Sequence, residues 1–306
     1  MPRTTMAHVN LLAGRYALRH VIGRGGMGAV WAARDLTAGR DVAVKLAGPE
    51  PVAAAQLRRE AELTAAVSHP GVVGVHGVGE DAGTTFLVME LLPGPDLAEL
   101  LRRGAVPAPD AVRVAAQVAD ALAAAHRAGV VHGDVTPSNV VLAHDAAVLV
   151  DFGAGCRGRR PAGRATVGTA PYMAPEQVTA EPVGPGADVY ALGCLVTESL
   201  AGRPPFTART TTGVLHRHVR AEPPRLRELV RGAPALLDEV VATMLAKDPD
   251  RRGTAAGARD ALRVVEHDPG LAQAAPTALP PPTRLDPAAT QPHVVPLDGP
   301  AGRSAA

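Results

Sequence analysis

The stretch "VVHGDVTPSN", residues 130–139, places a carboxylic acid, Asp134, shortly before a carboxamide, Asn139, across a turn that contains a proline. An acid and an amide on one rigid loop are suited to orient a hydroxyl group and to hold a metal ion. The same residue types are also common in surface turns. The surrounding sequence has to decide between these interpretations.

A second acid follows in "AAVLVDFGAG", residues 146–155, where an apolar strand pattern runs directly into Asp151. Asn139 and Asp151 together offer the oxygen ligands that Mg²⁺ takes, with room for water and nucleotide phosphates to complete the octahedron. Asp134 would then be the carboxylate that accepts the proton of an attacking hydroxyl. Any one of these residues is unremarkable alone, and their combination favours a phosphate-transfer site.

The segment "VIGRGGMGAVW", residues 21–31, contains Gly23, Gly25 and Gly28 in a GxGxxG pattern, with Val30 two residues further on. Glycines let the backbone turn tightly and bring N–H groups close to phosphate oxygens. Alone, the pattern indicates a glycine-rich hairpin equally well. A strand-like pattern on both sides argues against the dinucleotide fingerprint, which opens a helix.

Lysine occurs at only two places, Lys45 and Lys247, in a chain that otherwise uses arginine. Lys45 ends the strand-like run "VAVK", where an ammonium group can pair with nucleotide phosphates if a carboxylate holds it. The next helical run supplies Glu60 for this, whereas Glu62 lies two positions on and faces elsewhere. An exposed strand lysine is the alternative interpretation, and the presence of Glu60 favours the phosphate-binding role over it.

Composition narrows the protein class. The chain has 306 residues, 46% of them hydrophobic, with 31 basic and 30 acidic residues and a net charge of +1. This predicts a globular protein with no global attraction to nucleic acid or acidic lipid. Two cysteines, no signal peptide pattern and no apolar run of membrane-spanning length predict a reduced, cytoplasmic protein.

The pattern along the chain predicts an α+β fold in two lobes. Residues 1–15 are an extension, residues 16–92 read as a small sheet with one helix, and residues 93–267 read as a larger, mainly helical unit. Residues 268–306 are rich in Pro and Ala and lack any periodicity, which predicts a disordered tail.

In order along the chain, "GRGGMG", "VAVK", Glu60, "VVHGDVTPSN", "DFG", "GTAPYMAPE", "ADVYALG" and "DPDRRGTA" resemble the protein kinase family, specifically the eukaryotic-like Ser/Thr kinases of bacteria. The resemblance covers residues 16–267. It implies a β-rich N-lobe, a helical C-lobe and a cleft that binds ATP with Mg²⁺, or alternatively Mn²⁺. It also implies protein substrates that carry Ser or Thr.

The resemblance also assigns roles to residues. It places Met89 at the back of the adenine pocket and assigns nucleotide contacts to Ile22, Gly23, Gly25, Gly26, Gly28, Val30, Ala43, Lys45, Glu90 and Leu92. It implies that Asp188 braces the catalytic loop and that Glu176 pairs with Arg252. Thr169 resembles the threonine that bonds the catalytic aspartate in Ser/Thr kinases, and Thr166 is the candidate autophosphorylation site.

Two positions depart from the family pattern. Gly133 stands where the family usually has an arginine that reads a phosphate on the activation segment, which predicts a weaker dependence on that phosphate. Thr136 stands where a lysine usually contacts the γ-phosphate, and its hydroxyl offers only a neutral hydrogen bond. Two hypotheses remain, an active Ser/Thr kinase and a pseudokinase that works as a nucleotide-binding scaffold or switch. Retention of Lys45, Glu60, Asp134, Asn139 and Asp151 favours the first. A homodimer through the kinase domain and a docking role for the tail are further interpretations.

Overall fold

Short alternating runs near the N-terminus form a six-stranded antiparallel sheet. The computed structural model describes residues 10–25, 28–158 and 169–277. The strands follow the order β1-β2-β3-β4-β6-β5 across the sheet. Their bounds are β1 Asn10–Leu12, β2 Tyr16–Gly25, β3 Gly28–Asp35, β4 Arg40–Ala47, β5 Val75–Asp81 and β6 Thr84–Glu90.

The single helix of this lobe, α1 Pro51–Ala65, packs one face against the sheet. Leu57, Glu60, Ala61 and Thr64 are all buried, at the spacing of one helical face, whereas Glu62 is exposed. Because Glu60 lies on the buried face, it points toward the sheet that carries Lys45. This periodicity selects Glu60 over Glu62.

The remaining elements build a mainly helical lobe around α3. Its buried residues form one large apolar cluster with residues of α5, α8 and α9. The elements are α2 Leu97–Leu101, α3 Ala108–Arg127, β7 Val130–Val131, β8 Val140–Ala143, β9 Ala146–Leu149, β10 Cys156–Arg157, α4 Pro175–Val178, α5 Pro185–Ala201, α6 Thr211–Arg220, α7 Leu226–Leu229, β11 Val230–Arg231, α8 Ala235–Met244, α9 Ala255–Val265 and β12 Ala275–Pro276. Together with the sheet, they give the α+β, two-lobed architecture that the sequence predicts.

Two short antiparallel strand pairs determine where the loops of the site lie. Strand β7 pairs with β10, and β8 pairs with β9, so residues 132–139 and residue 151 emerge from neighbouring strand ends. The N–H of Val150 donates to the carbonyl of Asn139 at 3.0 Å, which fixes one loop against the other. The N–H of Val73 donates to the carbonyl of Leu149 at 3.0 Å and joins the two lobes.

Two short strands lie outside the predicted kinase domain, residues 16–267, one before it and one after it. Strand β1 lies inside the predicted extension, residues 1–15, and pairs with β2. At the other end, Leu271 is buried in the C-lobe core and β12 pairs with β11, so the predicted disordered tail is wrong for these residues. Residues 278–306 lie outside the described residues. Within the described ranges, no helix combines the length and the apolar character needed to cross a bilayer.

Candidate active site

The glycine-rich turn is the first part of the site, and it joins β2 to β3. Gly25 pairs with Gly28, and Gly23 pairs with Val30. Gly28 has φ +136°, and a Cβ there would lie 1.9 Å from the carbonyl oxygen of Leu46, so only glycine fits. Gly26, which the sequence assigns to the nucleotide, lies outside the described residues.

The wall behind this turn is apolar. Ala43 on β4 lies opposite Met89 on β6, and both belong to one buried cluster against which Val30 and Leu92 pack. Val150, which sequence reasoning missed, packs against the same cluster directly before Asp151.

Two further residues assigned to the nucleotide, Glu90 and Ile22, lie on β6 and β2. The N–H of Glu90 donates to the carbonyl of Gly74 at 2.8 Å, so a nucleotide contact from Glu90 falls to its carbonyl oxygen. Ile22, at 48% exposure, contributes an open apolar side chain. Such a wall suits the flat face of a purine base.

Lys45 lies at the centre of a charged triad. Its Nζ is 2.7 Å from Oε2 and 2.8 Å from Oε1 of Glu60, and 3.1 Å from Oδ2 of Asp151. Burial lowers the pKa of Lys45, but the two carboxylates outweigh it and leave the pKa above its ordinary value. Burial also raises the pKa of Glu60 to about 7, although Lys45 opposes the shift. The ammonium is therefore charged and held facing Asp151.

Asp151 sits in a strained backbone conformation at the mouth of this triad. Its φ is +62°, in the left-handed region, and its side chain accepts a hydrogen bond from the N–H of Gly153 at 3.1 Å. Non-glycine residues in this region cost free energy and occur preferentially at functional sites. The side chain is partly exposed, so its carboxylate can serve a ligand as well as Lys45.

The catalytic loop brings Asp134 and Asn139 together. The Nδ2 of Asn139 donates to the backbone carbonyl of Asp134 at 2.8 Å and to its Oδ2 at 3.1 Å. The amide nitrogen is thereby used inside the loop, which leaves the amide oxygen as the group that Asn139 can offer a cation. Thr136 is buried and its hydroxyl is bonded to that of Ser138 at 2.9 Å.

The environment of Asp134 suits a proton acceptor. Burial raises its pKa, while His132, Thr169 and Asn139 lower it and Asp151 raises it further, with a net upward shift. Its Oδ1 is buried and has no hydrogen-bond partner among the described residues. Buried polar atoms are nearly always paired. An unpaired carboxylate oxygen beside Asn139 is therefore an acceptor available to a substrate hydroxyl.

Asp188, on α5, braces this loop from below. Its Oδ2 accepts from the N–H of His132 at 2.9 Å and contacts His126 Nε2 at 2.8 Å, and its Oδ1 accepts from the N–H of Gly133 at 2.7 Å. Burial raises the pKa of Asp188, but these partners outweigh it and the net shift is downward. His126 is a partner that sequence reasoning missed, because nothing local marks a histidine at the end of α3.

A buried ion pair anchors the segment that follows the loop. Nη1 and Nη2 of Arg252 bond Oε1 and Oε2 of Glu176 at 2.6 and 2.8 Å. Tyr172 donates its hydroxyl hydrogen to Glu198 on α5. Thr166 lies outside the described residues, so the structure carries no observation on it.

The side chains at the mouth of the cleft supply only some of the ligands that a divalent cation needs. Asp151 and Asn139 provide one carboxylate and one amide oxygen, and the described residues contain no cluster of three His, Cys, Asp or Glu that would form a complete site. A hard cation with few protein ligands and several phosphate or water ligands matches this set. The site therefore fits a cation that arrives with a polyphosphate.

Comparison with known proteins gives a consistent result. The family model described as protein kinase domain matches residues 16–265. The chain is 38% identical to a probable serine/threonine-protein kinase of Streptomyces coelicolor, over 83% of this chain and 39% of that protein. It is 36% identical to the serine/threonine-protein kinase PknH of Mycobacterium bovis, over 96% of this chain and 55% of that protein. It is 39% identical to PknD of Mycobacterium tuberculosis, over 83% of this chain and 40% of that protein. The chain thus spans between 39% and 55% of the length of these curated relatives.

Proposed function

The chain belongs to the protein kinase family, and we propose that it transfers the γ-phosphate of ATP to serine and threonine hydroxyls of proteins. The observation that carries the proposal is the convergence of four groups at one cleft. Lys45 contacts Asp151, and Asn139 bonds Asp134, whose Oδ1 is left unpaired among the described residues. The names of the relatives support Ser/Thr protein kinase activity over a role as a nucleotide-binding scaffold.

We infer that ATP binds against the apolar wall described above. The purine packs against Val30, Ala43 and Met89, and the lack of a side chain at Gly23 and Gly28 lets the phosphates approach the backbone. Lys45, held by Glu60, pairs with phosphate oxygens as a compact positive charge.

Asp151 and Asn139 would hold the divalent cation, for which we propose Mg²⁺ with Mn²⁺ as the alternative, because carboxylate and amide oxygen atoms suit both ions. When bound, the cation neutralises charge on the transferring phosphate. In the structure the Asp151 carboxylate contacts Lys45, so the same side chain would serve both the ammonium and the cation. The backbone strain at Asp151 is consistent with a residue placed for a ligand.

Asp134 accepts the proton in the transfer step. The hydroxyl O–H bond of the substrate breaks, the proton passes to Oδ1 of Asp134, and the oxygen forms a bond to the γ-phosphorus. The bond between the γ-phosphorus and the bridging oxygen breaks, and ADP leaves. A hydrogen bond from the side chain of Thr169 lowers the pKa of Asp134, and we propose that Thr169 orients the carboxylate.

Thr136 replaces the lysine that the family places beside the γ-phosphate. Its hydroxyl is bonded to Ser138, so any contact to phosphate requires that bond to be exchanged. Loss of one charge-assisted contact in a desolvated site lowers the rate on the order of 10²-fold. We therefore propose a slower kinase than relatives that retain the lysine.

The test uses purified protein, ATP labelled on the γ-phosphate and a generic basic protein substrate. We expect transfer by the wild-type chain and none by Asp134→Asn or Lys45→Met. ATP binding without transfer in the wild type would favour the scaffold instead. Phosphate placed on tyrosine rather than on Ser or Thr would refute the substrate class.

Regulation and assembly are further proposals on the same footing. We propose Thr166 as an autophosphorylation site, and unchanged phosphate incorporation and activity in Thr166→Ala would refute it. We also propose a homodimer through the kinase domain and a docking role for residues 278–306. Analytical ultracentrifugation of the purified chain at several concentrations tests the dimer. Removal of residues 278–306 tests the docking role.

A further inference from the structure

The side chain of Gln177 bridges two segments that are far apart in the sequence. Its Nε2 donates to the carbonyl oxygen of Gly133 at 3.0 Å, and its Oε1 accepts from the N–H of Ala174 at 2.9 Å. Gln177 lies in the short helix α4 next to Glu176, whose ion pair with Arg252 anchors the helix in the C-lobe. The bridge therefore connects a fixed helix to the catalytic loop.

The acceptor of this bond is a specific peptide group. The carbonyl of Gly133 belongs to the peptide unit whose nitrogen is that of Asp134. The N–H of Asp134 donates to Nδ1 of His132 at 3.2 Å. Because a peptide unit is planar, hydrogen bonds at its oxygen and at its nitrogen fix the orientation of the whole plane. Gln177 thus holds one edge of the plane from which Asp134 projects, and His132 holds the other.

The backbone conformation at Gly133, where the bridge ends, favours glycine. Gly133 has φ +76°, and a Cβ there would lie 3.0 Å from the carbonyl oxygen of Ala154. Its N–H is taken by Oδ1 of Asp188 at 2.7 Å. Glycine adopts many backbone conformations, so its own preference does little to fix this one. Neighbouring hydrogen bonds must therefore hold Gly133 in place. Gln177 and Asp188 supply those bonds on either side of Gly133.

We propose that Gln177 is a positioning residue for phosphoryl transfer, which fixes the Gly133–Asp134 peptide plane and thereby aims the Asp134 carboxylate. The inference rests on the proposed kinase function. It also explains how the catalytic loop can be ordered in a chain that has Gly133 where the family usually has an arginine. A neutral, permanent hydrogen bond from α4 orders the catalytic loop, whereas a phosphate-reading arginine would order it only after modification.

The chain offers a matched control in Gln117. Its Nε2 donates to the carbonyl of Asp145 at 3.1 Å, and its Oε1 accepts from the N–H of Ala147 at 2.8 Å. This is the same kind of amide bridge, at the turn between β8 and β9. Both glutamines are partly buried, although the bond from Gln117 to Asp145 is more exposed than the bond from Gln177 to Gly133. A general loss of stability should therefore affect Gln117→Ala and Gln177→Ala alike.

Three variants separate the outcomes: Gln177→Ala, Gln177→Glu and Gln117→Ala. Gln177→Glu keeps the size and the acceptor for Ala174 but removes the donor to Gly133. We expect both Gln177 variants to lose about tenfold or more in kcat, since small misplacements of a reacting group cost 10- to 100-fold. The KM for ATP should change less than about twofold, because Lys45 and the apolar wall are untouched. Gln117→Ala should keep the kcat of the wild type.

Amide hydrogen exchange gives a measurement that does not need activity. We expect residues 130–139 to exchange about tenfold faster in Gln177→Ala than in the wild type or Gln117→Ala, because the peptide plane has lost one bond. Unchanged exchange in this segment, an unchanged kcat, or an equal loss of kcat in Gln117→Ala would overturn the inference. A wild-type chain that binds ATP but transfers nothing would instead overturn the proposed function, and the exchange result would still decide the role of Gln177 in the loop.

Discussion

The ion pair between Glu176 and Arg252 allows a direct test of how the segment after the catalytic loop is anchored in the C-lobe. Arg252 is 2% exposed and Glu176 is 3% exposed. Besides its two bonds to Glu176, the guanidinium donates to the carbonyls of Ala246, Lys247 and Gly186 at 2.7, 2.9 and 2.9 Å. The change Glu176→Gln removes the negative charge and keeps the shape, so it isolates the charge of this pair.

The size of the effect follows from burial. Removal of one partner of a buried ion pair costs about 3–5 kcal/mol because the remaining charge stays buried without compensation. Gln retains one hydrogen-bond acceptor, so we expect the lower end, about 3 kcal/mol. For a domain of this size, each kcal/mol shifts the Tm by about 2–4 °C, which gives about 6–12 °C. Such a loss is a large fraction of the roughly 5–15 kcal/mol that stabilises a typical domain.

The assay is urea and thermal unfolding of the purified chain, with Glu99→Gln as the control. Glu99 pairs with Arg103 at 3.1 Å on an exposed helix surface, where an ion pair contributes about 0.5 kcal/mol or less. We expect Glu176→Gln to unfold at a much lower urea concentration than Glu99→Gln. A loss below about 1 kcal/mol, or equal losses in the two variants, would refute the reasoning.

Three further predictions address the loop, the backbone and the C-terminal boundary. Burial raises the pKa of Asp134, and the base works only when it is deprotonated. The value of kcat/KM should therefore fall as the pH drops through a value above the usual aspartate range. A fall in kcat/KM only at about pH 4 or below would contradict this. Gly133→Ala should lower the free energy of unfolding by more than Gly129→Ala, as judged by urea unfolding. Both positions have φ above +70°, which costs about 1–2 kcal/mol for alanine, but only the Cβ at 133 meets a neighbour, the carbonyl of Ala154. Leu271→Ala should cost about 2–5 kcal/mol in the same assay, because Leu271 is buried in the C-lobe core; a negligible cost would mean that the fold ends before it.

Helical periodicity allowed the choice between Glu60 and Glu62 from sequence. Leu57, Ala61 and Thr64 share the buried face with Glu60, so the side chain that reaches Lys45 is fixed by the 3.6-residue repeat. The strands could also be predicted from the sequence, because Val30 and Lys45 lie in alternating apolar runs, and these two strands pair with each other. Local patterns of this kind carry the architecture of the cleft.

The ends of the folded unit were not legible in the same way. Strand β1 is three residues long and gains its structure from pairing with β2, while Leu271 stands alone in a segment rich in Ala and Pro. A single buried leucine gives no periodicity, and a short strand is fixed by its partner rather than by its own residues. Contacts of long sequence separation decided both boundaries.

The same limit applies to the bonds that hold the catalytic loop. Asp188 could be assigned from a resemblance, but its partner His126 and the bridging residue Gln177 could not, because no local pattern links a side chain to a group many residues away. The bond from Gln177 to Gly133 spans 44 residues. Sequence indicates which residues react, and the structure shows which residues hold them in place.

The most direct test of the cleft measures ATP binding and phosphoryl transfer side by side in the wild type and in Asp134→Asn. Asparagine keeps the shape of the side chain and removes its ability to accept the proton, a contribution of about 10²–10⁴-fold in rate. We predict that Asp134→Asn binds ATP with nearly the affinity of the wild type and loses transfer by about 10²-fold or more. Transfer by Asp134→Asn at the rate of the wild type would contradict the assignment of Asp134 as the proton acceptor.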